Sequence, residues 1–381
     1  MAEVQISPVR SESELMTFIR FPWEVYRGDP YWVPPLISER RGFLDRARSP
    51  FFQHARAEYF LARRGEKVVG TIAAFTNDRY NQFQQVNTGF FGFFEVLDDP
   101  QAAAALLATA EAWARKAGHV SILGPAQFST NDEVGLLVDG FQDAPRILMT
   151  YNPPRYMTYL DAAGYRTAMN LWAYRLAIAE FIRNKPEKLE RVAAKVLERG
   201  ELTVRRLDMR RFDQELEKVK KIYNRSWERN WGFVPMTDAE FGRMADQMKP
   251  LLDPDLVILV EHQGEAVGFG LTVPDVSEPL RLAYPRPSEP EAFTMLKLMW
   301  HWKVRRRHEW LRVIALGVLP EFRGKGVDGL MYLETAKAAV PKGYKFAEMS
   351  WILENNEMMN RAIRSLGGTV YKTYRVYEKA L

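Results

Sequence analysis

The chain repeats itself, and the repeat restricts its fold more than any other feature. Ala57–Asp78 reads as a strand, the turn Arg63-Arg64-Gly65-Glu66, and a second strand carrying Val68-Val69-Gly70. About 199 residues later, Leu256–Asp275 reads as a strand, the turn His262-Gln263-Gly264-Glu265, and a strand carrying Ala266-Val267-Gly268. Near the ends, Leu160-Asp161-Ala162-Ala163-Gly164-Tyr165 closes a helix and leads to a strand ending at Tyr174. Arg364-Ser365-Leu366-Gly367-Gly368 does the same toward Tyr377, at an offset of 203. Each half opens with a strand and an amphipathic helix, Val4–Val9 then Glu12–Tyr26, and Thr203–Leu207 then Asp213–Trp227. A repeat of this length, mixing strands with helices, predicts two α/β domains in tandem, each built on a mixed sheet. The boundaries expected are 1–180 and 201–381, joined by a connector at 181–200 that contains the charged, glycine-closed helix Lys185–Gly200. A length of 381 residues gives each half a sizeable core.

Composition closes off several functions. With 47% apolar and 27% charged residues, the chain is an ordinary globular protein, and no stretch approaches the ~18 apolar residues of a membrane span. The opening Met-Ala-Glu-Val-Gln-Ile lacks the pattern of a secretory signal, so a cytoplasmic location is expected, without a membrane partner. The absence of cysteine excludes disulfides, thiolate metal sites and a cysteine nucleophile. Five scattered histidines show no ligand spacing, and no metal is expected. The run Lys303-Val304-Arg305-Arg306-Arg307-His308 invites a nucleic-acid reading, but a solvated helix face or a rim for an anionic cofactor explains it as well. Nucleic acid is not expected.

The chemistry concentrates at Leu316-Gly317-Val318-Leu319-Pro320-Glu321-Phe322-Arg323-Gly324-Lys325-Gly326-Val327-Asp328. An apolar strand stops at Pro320, a Gly-rich basic turn follows, and a helix runs from about Val327 to Val340. Two glycines around a lysine let successive N–H groups converge, and the helix start adds its positive dipole end. Such a turn holds a diphosphate. Arg323-x-x-Gly326-x-x resembles the acyl-CoA pyrophosphate loop of the GNAT (N-acetyltransferase) superfamily, Arg/Gln-x-x-Gly-x-Gly/Ala, with Asp328 as a departure at the sixth position. The order of strands and helices in both halves resembles the same family, so the resemblance covers nearly the whole chain.

The resemblance implies two tandem GNAT-like domains, with acetyl-CoA or another acyl-CoA held by Leu316, Gly317, Val318, Arg323, Gly324, Lys325, Gly326, Val327, Asp328 and Asn356. The Val318 N–H would be the oxyanion donor. Aligned by their closing glycines, Gly118 and Gly343, the central helices place Asp98-Asp99-Pro100 opposite Arg323-Gly324-Lys325, two anions and a missing donor where a diphosphate would bind. The first half is therefore expected to be degenerate, its helix capped by Asp98.

Ile363 stands where the family carries a tyrosine acid, so Tyr374, with Tyr371 beside it, is the expected substitute. Glu348, on the face of the strand Phe346–Leu353 that it shares with Ser350, is the candidate base, weighed against a paired structural carboxylate. Trp231 and Phe233 in the loop Trp227–Met236 are read as an acceptor wall or as core. Asn131, Asp132 and Glu133 are read as contacts to a cationic acceptor, or as a helix start capped by Asn131. The function expected is acyl, foremost acetyl, transfer to the amine of a small molecule. Non-catalytic acyl-CoA binding, and aminoacyl or peptidyl transfer, are the alternatives.

Overall fold

A computed structural model describes residues 2–198, 200–228, 230–306 and 308–381, without the side chains of Lys188 and Leu197. Arg199 of the connector, Arg229 of the aromatic loop and Arg307 of the basic run lie outside the described residues. Thirteen strands are described. The first seven are β1 (Val4–Pro8), β2 (Ala55–Arg64), β3 (Lys67–Asn77), β4 (Thr88–Val96), β5 (Ser121–Gly124), β6 (Leu136–Asp139) and β7 (Arg166–Ala177). The rest are β8 (Leu202–Arg206), β9 (Val257–His262), β10 (Glu265–Pro274), β11 (Trp310–Val318), β12 (Phe346–Leu353) and β13 (Thr369–Ala380).

The chain packs into two units that do not follow its contiguous halves. Unit 1 holds Met1–Leu171, Ser277–Arg307 and Lys372–Leu381, and unit 2 holds Trp172–Val276 and His308–Tyr371. In unit 1 the strands run β1-β2-β3-β4-β5-β13, with β6 also on β13. In unit 2 they run β8-β9-β10-β11-β12-β7. Each unit thus takes its last strand from the other half of the sequence.

Both units follow one plan, a meander of antiparallel strands leading to a parallel pair. In unit 1 that pair is Thr88–Phe90 with Ser121–Leu123, and in unit 2 it is Trp310–Val313 with Phe346–Met349. A parallel pair needs a crossover, which the helices Pro100–Lys116 and Val327–Ala339 supply. The first helix buries Ala102, Leu106, Leu107 and Ala110 against Phe91, Val96 and Ile122. The second buries Val327 and Met331 against Val267 and Phe269. Helix starts follow the sequence signals: Ser11 closes a capping box with Glu14, and Thr237 does so with Glu240.

Two local expectations are corrected. Asp99, not Asp98, caps the helix Pro100–Lys116 through the Ala102 N–H at 3.0 Å, while Asp98 accepts from the Tyr159 hydroxyl at 2.9 Å. Because Pro100 occupies the first helical position, the preceding residue must be the cap. Asn131 starts no helix: Ser129–Asp132 is a turn closed by the Asp132 N–H on the Ser129 carbonyl, ahead of β6.

Candidate active site

The site is built where β11 and β12 part company. Their parallel pairing ends at Val313–Met349, yet β11 continues to Val318 and β12 to Leu353. On its other edge β11 stays paired with β10, Val318 opposite Gly268. The Leu319 N–H donates to the Val267 carbonyl at 2.9 Å, toward β10. Backbone groups of successive residues point to opposite edges of a strand, so the Val318 N–H and carbonyl face the open side. There the Val318 carbonyl accepts the Ser226 hydroxyl at 3.1 Å. Leu316, two residues back, shares that edge, whereas Gly317 faces β10.

Beyond the open edge comes the basic turn. A short 3-10 helix, Pro320–Phe322, leads to Arg323, and the helix Val327–Ala339 begins from Gly326 with no side-chain cap. Gly324 has φ 71° and Gly326 has φ 83°, a region open to glycine and strained for other residues. Arg323, Gly324 and Lys325 are exposed, and the helix that follows starts with no side-chain cap on its N–H groups. The Arg323 guanidinium is held by the Ser226 carbonyl at 2.7 Å, and the Lys325 ammonium lies 4.9 Å from the centre of the Phe322 ring. These groups fit a coenzyme diphosphate.

The connector helix Glu187–Glu198 lies against this turn. A Cβ on Gly326 would stand 2.6 Å from Val192, and one on Gly329 would stand 2.6 Å from Leu189. Both glycines are therefore required for close helix packing, a constraint additional to the phosphate-cradling role that sequence suggests. Asp328 is half-buried in the first helical turn. Burial, and behind it the Asp328 carboxylate, push the Tyr332 phenol well above its ordinary range.

Glu348 is completely buried on β12 and is not alone. The Ser350 hydroxyl donates to its Oε1 at 2.5 Å, and the Tyr371 hydroxyl donates to its Oε2. Arg312, directly opposite in register on β11, places Nε 3.8 Å from the carboxylate and 3.0 Å from the Ser350 hydroxyl. The sequence placed Glu348 and Ser350 on one face; it gave no sign of Arg312, because the pairing arises only when β11 meets β12. These donors satisfy both carboxylate oxygens in an apolar setting.

The other expected residues are distributed as follows. Asn356 caps the helix Glu357–Ser365 by accepting the Met359 N–H at 3.2 Å. Four residues on, buried Asn360 accepts the Tyr174 hydroxyl at 2.9 Å and donates to the Leu353 carbonyl at 3.0 Å. Ile363 is core, packed with Leu366 and Met349, so no phenol stands there. Tyr332, whose hydroxyl lies 3.3 Å from the Met359 sulfur, lines an apolar pocket with Leu316, Val313, Met349 and Phe181. Its place one turn along from Asp328 was visible in sequence only as helix spacing. Phe233 is buried among aromatics, its ring 5.7 Å from that of Tyr223, and Trp231 is half-buried. Tyr374 and the acidic trio belong to unit 1. Tyr374 is fully buried on β13 opposite Leu137. Glu133 binds Arg40 at 2.8 Å, and Asp132 accepts the Ser129 hydroxyl at 2.8 Å. No group of His, Asp or Glu that could hold a metal occurs among the described residues.

A splayed parallel pair followed by a glycine-rich turn and a helix, set in a fold made of two such units, is the tandem GNAT architecture. A tandem GNAT protein from the clavulanic acid biosynthesis pathway superposes with a TM-score of 0.57 at 13% identity, over 99% of this chain and 98% of that one. A GCN5-related N-acetyltransferase from Sphaerobacter thermophilus superposes with a TM-score of 0.50 at 14% identity, over 100% and 97%. At the sequence level the chain is 36% identical over 385 residues to the Bacterial ceramide synthase of Caulobacter vibrioides, covering 100% of this chain and 98% of that protein. It is 32% identical over 381 residues to Protein YghO of Escherichia coli, covering 97% and 94%. No protein-family profile matches. The chain belongs to the family of full-length relatives that contains these two proteins, and it has the tandem GNAT fold.

Proposed function

We propose that this protein is an acyl-CoA-dependent N-acyltransferase that forms an amide on the primary amine of a long-chain amphiphile. The observation that carries the reading is the 36% identity, end to end, with a protein named Bacterial ceramide synthase, a ceramide being the N-acyl amide of a long-chain amino alcohol. That name favours a lipid acceptor and a longer acyl group over the small molecule and acetyl group expected from sequence. The open β11 edge and the exposed Arg323-Gly324-Lys325 turn support use of a coenzyme thioester.

The coenzyme supplies an activated thioester carbonyl. Arg323, Lys325 and the N–H groups at the start of the helix Val327–Ala339 hold its diphosphate, with Asn356 at the neighbouring helix start. Leu316 and Val318 align the pantetheine arm along the open strand edge, with Gly317 between them turned toward β10. The Val318 N–H, facing that edge, is the donor for the carbonyl oxygen as negative charge grows there. Glu348, oriented by Ser350, Tyr371 and Arg312, accepts the proton of the acceptor ammonium, directly or through water. The C–N bond forms, the C–S bond breaks, and the thiol departs with a proton from Tyr371. Trp231 and Phe233 form part of the acceptor side.

The test is direct. Purified protein is given acyl-CoAs of increasing chain length with a long-chain amino alcohol, thiol release is followed with a thiol-reactive dye, and the amide is identified by mass. Faster release with long-chain than with acetyl thioesters, dependent on the amine, supports the reading. Binding without release would favour the non-catalytic alternative, which the complete burial of Glu348 makes specific. Tyr371→Phe tests the acid, since its loss should lower kcat by roughly 100-fold with little change in coenzyme affinity, whereas Tyr374→Phe, at a position fully buried in unit 1, should leave kcat unchanged.

A further inference from the structure

Between β10 and β11 the chain inserts Ser277–Arg307, which packs within unit 1. The Trp23 indole donates to the Pro285 carbonyl at 2.8 Å, Arg281 donates to the Pro30 carbonyl at 2.9 Å, and the Ser38 N–H donates to Glu291 at 3.0 Å. On the helix Glu291–Met299 and its continuation Trp300–Val304, Thr294, Leu298 and Trp302 face inward at four-residue spacing and are buried. The outward side is apolar too. Phe293, Leu296, Trp300 and Val304 are 57%, 69%, 52% and 60% exposed, with Met295 and Met299 beside them. Six of the fourteen exposed large apolar side chains among the described residues lie in this one helix. A surface helix ordinarily turns charges outward, and one that is apolar on both sides is covered on both.

The charges around it say by what. From Arg286 to Arg306 there are five lysines and arginines against two carboxylates. Glu289 is taken by Arg286 and Lys297, at 2.6 and 2.9 Å. Lys303, Arg305 and Arg306 are exposed at the helix end and form no ion pair among the described residues, Lys303 resting 3.7 Å over the Trp302 ring. A short apolar helix with exposed tryptophan and a basic end matches an anionic lipid headgroup layer over acyl chains. Its fourteen residues, about 21 Å at 1.5 Å each, are too short to span a bilayer. No helix among the described residues is long and apolar enough to cross a membrane.

We propose that Phe293, Leu296, Trp300 and Val304, with Lys303, Arg305 and Arg306, form a peripheral docking surface for an anionic bilayer. This departs from the sequence expectation of no membrane partner. It deepens the lipid-acceptor reading, since an amphiphilic amine resides in membranes.

The full chain is sedimented with phosphatidylcholine vesicles and with vesicles that also contain phosphatidylglycerol. The wild type is expected to partition onto the anionic vesicles and to be released by salt. Leu296→Ser with Trp300→Ser, and Lys303→Gln with Arg305→Gln and Arg306→Gln, are each expected to lower partitioning, the triple change by roughly 100-fold at ~1 kcal/mol per cation. An unchanged thermal midpoint shows that these exposed positions do not hold the fold. Wild type that ignores both vesicles overturns the proposal, as does a soluble dimer dissolved by the same changes, which would make a second copy the occupant. Vesicle binding needs no turnover, so binding without amide synthesis sinks only the functional reading. Amide synthesis without binding sinks only the docking surface.

Discussion

The two parallel strand pairs show how one architecture is left open in one unit and filled by its own chain in the other. In unit 2, β11 and β12 separate after Val313–Met349 and leave the Val318 edge open, ahead of an uncapped helix start at Gly326. In unit 1, β4 and β5 separate after Phe90–Leu123, but the chain itself fills the gap. The Ala126 N–H donates to the Phe91 carbonyl at 3.0 Å, and a Cβ on Gly92 would lie 1.7 Å from the Ala126 oxygen. The equivalent helix start is closed by Asp99, itself bound to Arg64 at 2.6 Å. Anion binding needs unsatisfied N–H groups, and unit 1 has given its own an internal anion. The β4 carboxylate of unit 1, half-buried Glu95, accepts from Tyr26 at 2.9 Å and Tyr156 at 2.9 Å.

The contrast breaks first at the carboxylates. Glu348→Gln is expected to lower kcat by about 100-fold or more, while Glu95→Gln in unit 1 leaves kcat unchanged. A fall in thermal midpoint with normal turnover would instead make Glu348 a structural partner of Arg312. Next comes the loop. Arg323→Glu should weaken acyl-CoA binding by about 10- to 100-fold, and titration calorimetry of the wild type should give one site per chain. Asp99→Gly should add no second site, and two equivalent wild-type sites would refute the assignment of coenzyme to unit 2 alone.

Gly92→Ala tests the closure of unit 1. Its methyl group has nowhere to go, so stability should fall by about 1–3 kcal/mol in denaturant unfolding, with little change in kcat at low temperature. A neutral result would mean that the gap is open in solution.

The mildest change concerns protons. Burial, partly offset by the two tyrosine hydroxyls, raises Glu95 to about 7 from an ordinary 4.5. Between those values the folded chain holds a proton that the unfolded chain has lost. The contribution is full below about pH 4.5 and is lost as pH rises through about 7. Glu95→Gln should flatten this part of the stability–pH curve, and an unaltered curve would remove Glu95 as its cause.

Much of this was legible along the chain. Hydrophobic periodicity placed β12 at Phe346–Leu353, and the glycine-rich turn marked the start of the helix at Val327, because both depend on neighbours within a few residues. The contrast between the anionic Asp98-Asp99 and the basic Arg323–Lys325 segment was also readable, although alignment by the closing glycines missed that Asp99 corresponds to Gly326 as the residue before the helix. The connector helix was visible as charged and closed by a glycine, but not its seat on Gly326 and Gly329.

What the sequence determined by itself was the repeated order of strands and helices, the glycine-rich basic turn and the absence of thiol chemistry, all properties of residue type and short-range spacing. Tertiary structure alone decided that Trp172–Ala177 and Lys372–Leu381 complete units formed mainly by the other half, because a strand's pattern specifies its faces but not its partner. It decided the same way that Arg312 lies beside Glu348, and that Ala126 closes one cleft while its counterpart stays open. Such outcomes depend on which backbones meet, and residues far apart in the chain carry no local signal of meeting.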